Sequence, residues 1–288
     1  MNTLLLCSIL LSMQASLRTR LLQHNAKSYG PLVLSGSETV AELLAGVGYS
    51  HLVVDTEHAP VDAPQAASLL RAIDAAGARP RTCPVVRVPS GGDTVATKRI
   101  LDVLRPPAGV MFPMIEDAAG AAAAVAGTRY PPGGVRGCAH PFVRASRYGR
   151  NPDYFETDAR DLLTIVQVES AAAIENIPEI GMVDGVDVIF LGPFDISCSI
   201  GRMGEFREDG EVMRLLRRAE RLVRETSAEK RRATGAGLVL GGFRSPGRSL
   251  EEMFSEEVRY QFVCGAVDLG LLGAAASADW EAGASAMG

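Results

Sequence analysis

Residues 163–195, LTIVQVESAAAIENIPEIGMVDGVDVIFLGPFD, read as one complete strand–helix–strand unit. Residues 163–168 form a short apolar run rich in β-branched side chains, 171–177 have helix-forming composition, and 186–191 are a second apolar run. The same alternation extends outward in both directions. Short Val-, Ile- and Leu-rich runs recur at 31–34, 51–54, 84–88, 110–114, 238–240 and 261–264, making eight candidate strands in all. The segments between them, such as 39–45, 66–76, 117–126 and 211–226, have the Ala, Leu, Glu and Arg content of amphipathic helices. Strands that alternate with helices form a parallel sheet, and nearly continuous apolar runs suit a sheet covered on both faces. Eight such units predict an α/β fold of the closed (β/α)8 TIM-barrel type, built as a single domain over residues 17–288.

The 288-residue length accommodates that barrel, and 47% apolar with 22% charged residues is ordinary globular composition. A net charge of −5 supplies no positive field for nucleic acid or an anionic membrane, so the expected partner is a small molecule. Five scattered cysteines in no C-x-x-C pair argue against a disulfide framework and point to a cytoplasmic setting. Residues 1–16 read as an N-terminal extension. Its apolar stretch 4–11, LLLCSILL, is too short to span a membrane and reads either as a weak signal-like segment or as an extra turn. Gly133, Gly134 and Gly137 do not form a nucleotide-binding fingerprint.

In a barrel of this kind the chemistry lies at the C-terminal ends of the strands. The run at 51–54 leads into Asp55, Thr56, Glu57 and His58, and the run from Pro84 ends on Arg87. Period-two alternation sends Gln167 and Glu169 to one face, opposite Val166 and Val168. The sixth run is followed by Gly192, Pro193, Phe194 and Asp195. Charges buried in apolar strands require partners, so Arg87 and Glu169 either pair with each other or belong to a site. Glu169 and Asp195 fall on adjacent strand ends, and two converging carboxylates require a proton or a cation between them. An all-oxygen site suits Mg²⁺ or Mn²⁺. His58 at such a rim is a candidate base, with Asp102 as the carboxylate that would orient it. Arg129, Arg136, Arg144, Arg147 and Arg150 cluster around one long segment, where they either attract an anionic substrate or form an interface.

With these motifs in order, the chain resembles the HpcH/HpaI aldolase/citrate lyase family, the class II, metal-dependent pyruvate aldolases of the phosphoenolpyruvate/pyruvate barrel superfamily. The resemblance rests on VDTEHAP (54–60), PVVR (84–87), RYPP (129–132), GVRG (134–137), RASR (144–147), QVE (167–169) and LGPFD (191–195), and covers residues 17–272. It implies Glu169 and Asp195 as ligands of a divalent metal, Mg²⁺ or Mn²⁺ with Co²⁺ as a third candidate. It further implies Arg87 beside the enolate oxygen of bound pyruvate, Gln167 lining the site, and Gly192, Pro193 and Phe194 at the substrate carboxylate. His58 matches the catalytic histidine and Asp102 its partner, with Asp55 and Glu57 in support. The implied reaction is cleavage of a 4-hydroxy-2-oxo acid, dicarboxylic or 3-deoxy sugar-derived, to pyruvate and an aldehyde in a homo-oligomeric enzyme. Oxaloacetate decarboxylation on the same site is an alternative, and a non-catalytic barrel that binds a 2-oxo acid is another. Lys27, Lys98 and Lys230 end no predicted strand, which argues against a Schiff-base aldolase. The sequence departs from the family in a longer turn after Asp102 and in an Ala/Gly-rich segment after Leu272.

Overall fold

The computed structural model describes residues 15–77, 82–156 and 158–287, so the apolar stretch at 4–11 lies outside the described residues. In chain order the elements are α1 (Leu17–His24), β1 (Ser28–Val33), α2 (Glu38–Val47), β2 (His51–Asp55), α3 (Ala63–Ala75), β3 (Cys83–Arg87), α4 (Thr94–Val103), β4 (Gly109–Phe112) and α5 (Ala118–Thr128). They continue with β5 (Leu163–Val168), α6 (Ala171–Glu175), α7 (Ile177–Met182), β6 (Val188–Leu191), α8 (Pro193–Ser199), α9 (Glu211–Thr234), β7 (Val239–Phe243), α10 (Leu250–Met253), β8 (Phe262–Val267) and α11 (Asp268–Met287). The eight strands pair in parallel, β1 through β8, and close into a barrel. All eight expected strands are present, most shifted by one to three residues.

Alternation along the strands builds two apolar layers. Val53, Val85, Met111, Ile165, Val188, Val239 and Phe262 fill the barrel interior, and Leu17 and Leu21 of α1 join that inner cluster, closing the end where the strands begin. Leu52, Val54, Val86, Val166, Val168, Ile189 and Leu191 belong instead to the shell packed between strands and helices. Asp187, just ahead of β6, accepts two hydrogen bonds from Arg18 at 2.8 and 2.9 Å, which fixes α1 in place. Gly30 permits the approach of β1 to β2: a Cβ there would lie 1.8 Å from the His51 carbonyl oxygen.

Two helices differ from expectation. The helix anticipated over 171–177 is split at Asn176, because Pro178 has no amide hydrogen to continue the ladder and is accommodated only in the first turn of a new helix. The long charged helix α9 continues past Thr226 to Thr234, where Gly235 at φ +83° ends it. The last helix, α11, is anchored by Asp268, whose carboxylate accepts from the Leu34 and Ser35 amides at 2.9 and 3.1 Å. Beyond that anchor its side chains, Leu269, Leu272 and Trp280 among them, are exposed.

Candidate active site

The barrel register brings the polar strand ends together. Asp55 pairs with Arg87 across β2 and β3, and Val168 pairs with Leu191 across β5 and β6. The residues that follow the second pair, Glu169 and Gly192, therefore emerge side by side. Gln167 faces the same way as Glu169, to whose Oε1 its Nε2 donates at 2.5 Å. The period-two reading of this strand thus describes its geometry.

Arg87 and Glu169 are not each other's partners. The Arg87 guanidinium instead donates from Nε and Nη2 to the two oxygens of buried Asp55, at 2.8 and 2.6 Å, a bidentate arrangement. Its Nη1 lies 3.2 Å from Glu57 Oε2. Asp55 also receives the amides of Glu57 at 3.0 Å and His58 at 3.4 Å, so one carboxylate shapes the loop after β2 as well as the arginine. The His58 ring is exposed, with Nε2 3.8 Å from Glu57 Oε2.

Glu169 is buried, and its Oε2 accepts the Met114 amide at 3.0 Å. Met114 adopts φ +52°, a left-handed conformation unusual for a side chain of this size, and that conformation accompanies the amide's approach to Glu169. Burial, together with the charges of Asp195 and Glu57, pushes the Glu169 carboxyl up to about 7 against the opposing effects of the Met114 amide and Arg87. Burial also raises Glu57, and Arg87 and His58 only partly offset it. Asp195 stands exposed in the first turn of α8. Phe194 packs edge-on against Phe206 and tilts against Phe243, with centroids 5.4 and 5.9 Å away.

The donor set fits a hard divalent cation. Glu169 and Asp195 offer carboxylate oxygens, the neighbouring Gln167 Oε1 is buried without a partner, and a Cβ on Gly192 would lie 2.4 Å from Glu169 Oε1. Among the described residues no group of three His, Cys, Asp or Glu side chains is arranged to hold a metal. Two carboxylates would thus leave most coordination positions to substrate and water. Gly192→Ala is expected to weaken Mn²⁺ binding at least tenfold and to cost about 1–3 kcal/mol of stability through overpacking. Calorimetric Mn²⁺ titration and urea unfolding measure the two effects.

Asp102 requires a correction. It lies in the last turn of α4, and a helix that returns from β3 to β4 ends near the beginnings of the strands, away from the mouth that holds His58. Its carboxylate accepts from Arg136 Nη2 at 2.9 Å, whereas His58 has Glu57 as its acidic neighbour. Within one chain the expected His58–Asp102 dyad is not formed. Three of the clustered arginines are likewise committed elsewhere: Arg129 to Asp184 at 2.8 Å, Arg136 to Asp102, and Arg144 to Asp74 at 2.6 Å. They bind the long segment after α5 to the barrel wall. Lys230 is buried and donates to the carbonyls of Gly181, Val183 and Val186 at 2.8 to 2.9 Å, so it serves the packing of α7. Sequence reasoning did not find the Met114 amide, which carries no side-chain signal, or Glu116, whose Oε2 accepts from Ser170 at 2.6 Å beside the site.

Residues 30–252 match the family model described as HpcH/HpaI aldolase/citrate lyase. The chain belongs to this family. It is 43% identical over 164 residues to a 4-hydroxy-2-oxo-heptane-1,7-dioate aldolase of Klebsiella pneumoniae, covering 57% of this chain and 59% of that protein. It is also 42% identical over 181 residues to a hydroxypyruvate/pyruvate aldolase of Delftia acidovorans, covering 62% of this chain and 63% of that one. The crystal structure of a family protein from Burkholderia cenocepacia superposes with a TM-score of 0.80 at 35% identity, over 92% of this chain and 98% of that chain. The family assignment therefore extends from sequence motifs to the closed eight-stranded barrel.

Proposed function

We propose that the chain is a metal-dependent carbon–carbon lyase that cleaves a 4-hydroxy-2-oxo acid, dicarboxylic or 3-deoxy sugar-derived, to pyruvate and an aldehyde. One observation carries the reading. The mouth gathers Asp55, Glu57, Glu169 and Asp195 around Arg87, four carboxylates against one guanidinium among these five groups. An anionic 2-oxo acid enters such a mouth favourably only with a cation, and the two aldolase relatives suggest the substrate class.

Glu169 and Asp195 would hold the divalent ion, Mg²⁺ or Mn²⁺. When bound, that ion supplies Lewis-acid polarisation of the substrate's 2-oxo group. The backbone at Gly192–Phe194 receives the substrate carboxylate, and Gln167 lines the pocket floor. His58 takes the proton of the 4-hydroxyl as the C3–C4 bond breaks. The bond's electron pair stays on C3 as the enolate of pyruvate, and the hydroxyl carbon leaves as the aldehyde. Arg87 places its positive charge at that developing anion, held by Asp55 so that little reorganisation is needed. Glu57 Oε2, 3.8 Å from His58 Nε2, is the acidic group beside that ring. Return of the proton to C3 completes pyruvate.

The apolar, exposed α11 supports a homo-oligomer, and cysteines scattered along the sequence in no C-x-x-C pair support a cytoplasmic setting. Among the described residues no helix is long and apolar enough to cross a membrane.

The test is pyruvate release from a panel of 4-hydroxy-2-oxo acids and from oxaloacetate, with Mg²⁺, Mn²⁺ or EDTA. Release from the hydroxy acids that EDTA abolishes is expected. Release indifferent to EDTA, or none from any hydroxy acid, overturns the assignment, and release from oxaloacetate alone makes the chain a decarboxylase. His58→Gln is expected to lower kcat by roughly 10²- to 10³-fold with KM nearly unchanged. A large rise in KM instead would assign the side chain to binding.

A further inference from the structure

A cavity of about 570 Å³ lies beneath the second half of α9, at the end of the barrel where the strands begin. Leu238 just before β7, Leu240 within it and Phe254 after α10 give it an apolar wall. Lys27 from the α1–β1 turn and Arg224 and Arg231 from α9 also line it. Among the described residues none of these three cations has a carboxylate within 4.0 Å. Arg259, the fourth cation of the lining, already has Glu256 at 3.9 Å.

A second cavity differs in this respect. A neighbouring cavity of about 490 Å³ is lined by Arg18, Arg129 and Arg160, and each of them has a carboxylate partner in Asp187, Asp184 or Glu156. What sets Lys27, Arg224 and Arg231 apart is that all three, none with a carboxylate partner among the described residues, line one concavity beside an apolar wall. The negative end of α9 accounts for Arg231 in its last turn. It does not account for Arg224 two turns earlier, or for Lys27 on a different element. Arg224 is oriented by a hydrogen bond from Nη1 to the Val258 carbonyl at 3.1 Å, and Lys27 Nζ stands 5.9 Å from the Phe254 ring centroid.

We propose that this cavity is a binding site for a small phosphomonoester with an apolar or aromatic body, separate from the catalytic mouth. Its doubly charged head meets Lys27, Arg224 and Arg231, since guanidinium forks and an ammonium suit phosphate oxygens. Its body lies on Leu238, Leu240 and Phe254. The cavity volume is in the ordinary range for small-molecule sites. The site lies at the opposite end of the barrel from Glu169, so its occupancy does not depend on the proposed lyase activity.

Calorimetric titration of the full chain with phenyl phosphate, inorganic phosphate and benzoate tests this. Phenyl phosphate is expected to bind one per chain, about tenfold more tightly than benzoate, which shares the ring but carries one charge, and more tightly than inorganic phosphate, which lacks the ring. Arg231→Gln and Lys27→Gln, both exposed positions, should each weaken phenyl phosphate about tenfold with an unchanged Tm. Glu169→Gln and added pyruvate with Mg²⁺ should leave it unaffected, which separates this site from the mouth. No binding at low millimolar concentration, equal affinity for benzoate, parental affinity in both variants, or displacement by pyruvate would overturn the proposal.

Discussion

Glu169→Gln is expected to lower metal-dependent pyruvate release by roughly a thousandfold or more while the barrel stays folded. The substitution keeps the side chain's shape and still offers an oxygen to the Met114 amide, which now lies 3.0 Å from Oε2. The new amide group would face Gln167, whose unpartnered Oε1 is available to accept from it after rotation. What is lost is the charge, one of the two proposed anionic metal ligands. Pyruvate release and Mn²⁺ titration should therefore fail together, and retention of activity within tenfold of the parent would remove Glu169 from the metal site.

The same substitution has a pH signature in the metal-free chain. Folded Glu169 keeps its proton up to about pH 7, whereas an unfolded glutamate releases it near 4.5. Across that window the folded state binds more protons, so stability falls as pH rises, by on the order of 3 kcal/mol in total. Melting in EDTA from pH 5 to 8 should show this decline, and Glu169→Gln should reduce it, leaving the part of the same sign that raised Glu57 contributes. Saturating Mg²⁺ should reverse the decline in the parent chain alone.

Arg87→Leu is the second large effect, and it acts mainly on stability. Arg87 is nearly buried, gives two hydrogen bonds to fully buried Asp55, and lies beside Glu57. Without it two carboxylates remain in the barrel mouth with no cation against them, and breaking a buried pair from one side costs about 3–5 kcal/mol. Urea unfolding should record that loss. Addition of Asp55→Asn should recover part of it, because the stranded charge is then gone. Activity should stay low in the double variant, since the loop amides of Glu57 and His58 lose their charged acceptor. If the two substitutions were additive in stability, the Arg87–Asp55 pair would not be the dominant contact of either residue.

Much of the architecture was legible because strand and helix periodicities are local. Val166 and Val168 pack outward while Gln167 and Glu169 share a face, as alternation requires. Glu169 and Asp195 follow adjacent parallel strands, so one strand–helix repeat sufficed to place both at one mouth. Boundaries were less legible where a single residue decided them. Pro178 split one helix, and the absence of any breaker before Gly235 lengthened another.

The pairing of charges was not legible. Residue spacing marked Arg87 as a buried charge in need of a partner, but only the register of β2 against β3 made that partner Asp55. Spacing likewise allowed Asp102 beside His58. The return direction of α4 instead carries Asp102 to the other end of the barrel, where Arg136 meets it. The Met114 amide at Glu169 left no trace in the sequence, because any residue supplies an amide and only the backbone path aims it. Hydrophobic alternation thus set the barrel and the residues at its strand ends. Which ion pairs form, and which carboxylates remain for a cation, depended on distances between segments far apart in the chain, which close only when the barrel does.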